Sequence, residues 1–172
     1  MKKFAFVSSI ALIISVSAFS QQRTQSVFGG DFAKDAPAQL NELKLNLGTT
    51  IFGLFPEVSY ERILGEDFGV GVSAGISLNS DDYPLDFAFT PYARWYFGGS
   101  STNLQKYGAG FFIEANGSVF SSGSTGAGLG LALGWKYLTK NNWVGELYFG
   151  GGRDFVNDSG YPRMGITIGK RF

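Results

Sequence analysis

Charge in this chain keeps to one side of an alternation that runs through most of its length. Turn signals divide the sequence after residue 40 into eight runs in which successive side chains point to opposite faces of a strand. Within those runs, one phase carries Glu42, Lys44, Glu57, Glu61, Asp86, Arg94, Glu114, Lys136, Glu146, Arg163 and Arg171. The other phase carries only Arg62 and Lys170, both near strand ends, where a long side chain can snorkel. A chain patterned this way must present two surfaces of opposite character. Eight strands achieve that by closing into a barrel.

The runs are Asn41 to about Ile51, Pro56 to Leu64, Phe68 to Leu78, Leu85 to Phe97, Ala109 to Phe120, Thr125 to Leu138, Trp143 to Gly151 and Tyr161 to Phe172. Most are longer than the roughly 5–6 residues of an average soluble strand. A tilted strand needs about 9–11 residues to cross a bilayer. Period two persists and no helix caps stand out, so every run is expected to be a strand. The fold class expected is all-β, an eight-stranded antiparallel up-and-down transmembrane barrel.

Alternation alone does not say which face is inside, because a soluble ligand-carrying barrel alternates too. The charged phase is crowded with Gly, Ala and Ser, which suits a narrow lumen filled by side chains and not a water-facing wall. Its six acids and five bases nearly cancel, as buried charges must if they are to pair. The charged phase is therefore placed inside. Lys44, Glu57, Glu61, Arg94, Glu114, Lys136, Glu146, Arg163 and Arg171 are expected to form a lumen ion-pair network. With the N-terminus on the periplasmic side, Trp95, Trp135, Tyr137, Trp143 and Phe172 collect at one rim, along with Phe68. Such aromatics favour the membrane–water interface because the ring is apolar and its polar edge stays wet.

The first twenty residues read as an export signal. Lys2 and Lys3 precede an apolar stretch from Phe4 to Ala18, and small residues flank a cut placed after Ser20. Residues 21–40 read as a polar periplasmic lead-in, and 41–172 as the barrel. Removing Lys2 and Lys3 leaves 12 bases against 14 acids, which does not favour nucleic acid. The sequence has no Cys, so disulfides and thiolate metal sites are excluded, and no His, the commonest general base.

Taken together, the eight runs, the signal and the terminal Phe172 resemble the small outer-membrane barrels of the OmpA/OmpX type, and the uncharacterised barrels of Bacteroidetes-like bacteria. The resemblance covers Asn41 to Phe172. It implies an outer-membrane location, lipid as a partner and recognition of Phe172 by the barrel-assembly machinery. Lys170 stands where that family usually has a second aromatic. The resemblance carries fold and location, not an activity.

Motifs that could carry chemistry have plainer explanations. Gly126-Ala127-Gly128-Leu129-Gly130 lies within a strand, not between a strand and a helix as a phosphate loop requires. Glu57, Glu61, Glu114 and Glu146 could gather for acid–base work, but pairing with Arg94, Lys136, Arg163 and Arg171 accounts for them. Outer-membrane acyltransferases and deacylases activate a nucleophile with His, which is absent here. No catalytic residue, cofactor or metal is expected. Loops at Asn79–Pro84, Ser121–Ser124 and Gly152–Gly160 offer Asp81, Asp82, Tyr83, Asp154, Asp158 and Tyr161 to an unknown surface ligand. The function expected is a monomeric, non-enzymatic structural or interaction protein. The alternatives are a narrow channel for small solutes or ions and, more remotely, a lipid-modifying enzyme.

Overall fold

The computed structural model describes residues 39–78, 85–97 and 107–172. The expected export signal, nearly all of the expected lead-in and the Asn79–Pro84 loop lie outside those residues. The elements are β1 (Asn41–Asn46), α1 (Leu47–Gly53), β2 (Glu57–Ile63), β3 (Phe68–Ile76), β4 (Phe87–Phe97), β5 (Gly110–Ser121), β6 (Thr125–Leu138), β7 (Trp143–Asp154) and β8 (Ser159–Arg171). Each strand pairs antiparallel with the next, and β1 pairs antiparallel with β8, so the sheet is a closed up-and-down barrel. Closure leaves no free sheet edge along the length where all eight ladders run.

The first run departs from expectation. It is extended only to Asn46, and Leu47–Gly53 is helical. Asn46 caps this helix, its Oδ1 accepting from Thr49 N at 3.3 Å. Leu54 ends it in the left-handed region at φ 48°, and Phe55 N donates to Thr49 O at 3.0 Å. The ladder between β1 and β8 consequently stops at Asn46–Thr167, and the upper part of β8 has α1 beside it in place of a strand. Pro162 sits in that upper part of β8. Having no N–H, it presents one donor fewer at an edge that lacks a strand partner.

The seventh run is longer than expected. β7 continues through Gly150-Gly151-Gly152 to Asp154 and stays paired with both β6 and β8. Glycine is needed at Gly150, because a Cβ there would run into Leu131 O and Ala132. Asp154 thus belongs to β7 and is buried, whereas the sequence reading had given it to a ligand-binding loop; Tyr161, offered to the same loop from the start of the eighth run, is buried in β8.

Burial is inverted relative to a water-soluble domain. Glu42, Glu61 and Glu114 are fully inaccessible, and Lys44, Arg94 and Lys136 nearly so. Leu129, Leu131, Leu133, Leu147, Phe149, Met164 and Ile166 stand on the outer wall, half or more exposed. Trp95 and Trp135 end β4 and β6, and Trp143 begins β7, so all three lie at the end that holds the start of β1 and the end of β8. Phe97, Phe111 and Trp135 touch in series there, with the Phe111 and Trp135 rings edge to face at 4.4 Å. Inside that same end, Ala109, Leu138 and Val144 make a small apolar plug.

Candidate functional site in the barrel lumen

Six strands converge their charges on the middle of the lumen. Glu61 from β2 and Glu146 from β7 are the hub. Arg94 of β4 reaches Glu61 at 2.8 Å, Glu114 at 2.8 Å and Glu146 at 3.0 Å. Lys136 of β6 lies 2.8 Å from Glu42, 2.9 Å from Glu61 and 3.1 Å from Glu146. Lys44 of β1 pairs with Glu61 and lies 2.7 Å from Glu146. Two arginines extend the network towards the ends. Arg163 bridges Glu57 at 2.6 Å and Glu114 at 2.9 Å. Arg171 holds Glu42 through Nε at 2.8 Å and donates to the carbonyls of Tyr107 and Gly108.

All nine residues expected in the lumen network lie in it, and Glu42 completes it. The ten comprise five acids and five bases, so the cluster carries no net charge. Asp86 does not belong: it precedes β4 at the rim, where its carboxylate accepts from Ser121 Oγ at 3.0 Å. Burial of so many ions is tolerable only because each finds more than one partner.

Sequence reasoning passed over the aromatic rings that fill the space between these ions. Tyr92, Tyr96, Phe112 and Tyr148 are buried in the lumen. Arg94 lies with its guanidinium carbon 4.3 Å from the Phe112 ring centre and 4.5 Å from that of Tyr92. Lys136 stands 4.7 Å from the Tyr96 ring, whose hydroxyl donates to Glu61. The small residues of the inner phase serve these rings more than the long charged chains. A Cβ on Gly71 would meet Tyr92, on Gly134 Phe112, and on Gly165 Tyr148, while Gly69 and Gly169 make room for Glu61 and Lys44. The signal was present in the sequence. Tyr92, Phe112 and Tyr148 each lie two residues from a charged residue of the inner phase.

The carboxylates that could have met for acid–base chemistry do come together. Oxygens of Glu42, Glu61 and Glu146 lie within 4.8 Å of one another. Ammonium groups of Lys44 and Lys136 occupy the space a cation would need, and Arg94 adds a third positive group. The donor set therefore fits salt bridging and not metal binding.

The aromatics expected at the rim are apart from this network. Trp95, Trp135, Tyr137, Trp143 and Phe172 are all exposed on the outer wall, and Lys170 stands 5.9 Å from the Trp143 ring. Phe172 is tied into the wall by its main chain, exchanging hydrogen bonds of 3.0 and 2.7 Å with Asn41. Of the loop residues, Asp81, Asp82 and Tyr83 lie outside the described residues. Asp158 pairs at the surface with Arg153. Asp154 is satisfied by Val156 N and Asn157 Nδ2 of its own turn and by Ala127 N of the neighbouring strand β6.

Comparison with known proteins places no relative beside this geometry: no family model, curated protein or solved structure matches the chain.

Proposed function

We propose that this chain is an outer-membrane β-barrel with a structural or interaction role, a monomer whose partners are the surrounding lipid and, during insertion, the barrel-assembly machinery. The observation that carries this reading is the inversion of burial. Ten ionised side chains face inward as a neutral, fully paired cluster, and a belt of Leu, Phe, Ile and Met faces out. Water would favour the opposite arrangement, because soluble monomers rarely expose apolar patches beyond a few hundred Å². Hydrocarbon favours this one, and the closed ladder supplies the backbone hydrogen bonds that lipid cannot.

The same arrangement argues against transport and catalysis as the main role. Eight strands leave a lumen only wide enough for side chains to fill, and rings and ion pairs fill this one. The carboxylates that could act as acids or bases are each committed to Lys or Arg, and the chain has no His. Export by residues 1–20 and insertion guided by Phe172 complete the proposal.

Gel mobility of the protein from isolated outer membranes, with and without boiling, tests it. A heat-dependent shift in the outer-membrane fraction is expected. Recovery as a soluble periplasmic protein with no shift would overturn the reading in favour of a soluble carrier.

A further inference from the structure

Charges inside the barrel cancel, but those on its outer wall do not. The carboxylates carried by the strands, Glu42, Glu57, Glu61, Glu114, Glu146 and Asp154, are all buried, so the outward face of the strands carries cations alone. Those cations are Arg62 of β2, Arg153 of β7 and Lys170 of β8, all exposed. Arg153 lies towards the far end of the barrel and has its own acid in Asp158. Arg62 and Lys170 lie at the end that holds Trp95, Trp135 and Trp143, and neither meets a carboxylate among the described residues.

These two cations flank β1. Arg62 is paired with Asn41, and Lys170 with Leu43, one outward position further along the strand. Neighbouring strands lie about 4.8 Å apart, so β2 and β8 are about 10 Å apart across β1, a gap two long side chains can close over. Between them, Asn41 accepts the Tyr60 hydroxyl at its Oδ1, at 2.8 Å, and its amide nitrogen is a donor. Lys170 stands 5.9 Å from the ring of Trp143, its partner across the ladder on β7. The planar fork of Arg62 suits the oxygens of a phosphate. Further along the same three strands the wall turns apolar, with Leu45 paired to Val58 on one side and to Ile168 on the other. Cations at the rim and a hydrocarbon surface running on from them match a molecule with an anionic head and apolar tails.

We propose that this stretch of the rim binds the phosphodiester of an anionic phospholipid, held by Arg62 and Lys170, with its chains lying along Leu45, Val58 and Ile168. The site rests on the membrane reading above. The test is native mass spectrometry of the full chain refolded in detergent micelles, offered phosphatidylglycerol or phosphatidylcholine with the same acyl chains. One phosphatidylglycerol should be retained per barrel, at least tenfold more tightly than phosphatidylcholine. Arg62→Gln combined with Lys170→Gln should erase that preference, and Arg153→Gln should stay within twofold of the parent. If the double variant does not fold, Arg62→Gln alone should cut the preference at least threefold. Glycerol phosphate, the head without the chains, should not displace the lipid, and displacement at equal concentration would overturn the lipid as the ligand. Equal retention of both lipids by a barrel that shows the heat-dependent gel shift, or an equal loss in Arg153→Gln, would overturn the site and leave the membrane reading standing. A chain that never inserts and retains no lipid would overturn both.

Discussion

The two halves of one lumen handle buried polarity in opposite ways. Towards the chain termini all eight ladders are complete, and Glu42, Lys44, Glu61, Arg94, Lys136 and Glu146 share partners in a dry cluster. Towards the other end α1 replaces a strand, the buried Thr49 hydroxyl has no partner among the described residues, and a small cavity is left between rings. The first half gains rigidity from redundancy, since losing one contact leaves others. The second gives up contacts and gains room. Where a barrel this narrow has space, the wall had to be interrupted to make it.

The comparison is broken most severely in the ionic half. Arg94→Leu leaves Glu114 with Arg163 as its one cation among the described residues and takes one cation from the Glu61–Glu146 hub. Removing one partner of a buried pair costs about 3–5 kcal/mol. Urea unfolding of the refolded barrel should show a loss of that order, and a loss below about 1 kcal/mol would mean that the network is looser than its distances imply. Gly134→Val comes next. Its Cβ would collide with the Phe112 ring and with Leu147 O, and overpacking of this kind costs about 1–3 kcal/mol. The same denaturation series should place it below Arg94→Leu.

Asn46→Ala tests the boundary between the halves. The Asn46 side chain caps α1, accepts from Ile166 N at 3.2 Å and donates to Glu57 at 2.9 Å. Loss of a cap costs about 0.5–2 kcal/mol. Hydrogen exchange should quicken at Thr49 and Ile166 while the amides of β5 and β6 keep their protection. Uniform loss of protection would show that α1 is integral to the whole ring.

How much of this could be read from the sequence follows from which forces are local. β3 to β6 and β8 were legible because strict alternation survives in runs such as Phe68–Ile76 and Thr125–Leu138, and nothing competes with it. The ionic half of the lumen was legible for the same reason, since phase alone sorts Arg94 and Glu114 inward. α1 was hidden because Thr49, Thr50, Ile51 and Phe52 are residue types that favour strands, and the helix is specified by one cap and a left-handed Leu54. β7 looked short because Gly152, the third glycine in a row, read as the start of a loop, although it answers to the close approach of β6. The cavity was invisible because it lies where α1 takes the place of a strand. A period-two reading cannot find a space that opens where the period stops.

The network's longest reach has a consequence for assembly. Glu42 on the first strand takes its hydrogen bonds from Lys136 and from Arg171, 129 positions downstream on the last strand. The opening strand therefore stays electrically incomplete until the closing strand arrives, and contacts this distant in sequence come late because chain closure must precede them. The same arginine grips the carbonyls of Tyr107 and Gly108, so one side chain fastens the seam and a neighbouring connection together. A ring zipped one register out of place would turn Arg171 to the opposite face and strand Glu42 without it. The seam thus checks its own alignment at the closing step, where a mispaired closure leaves Glu42 short of a partner.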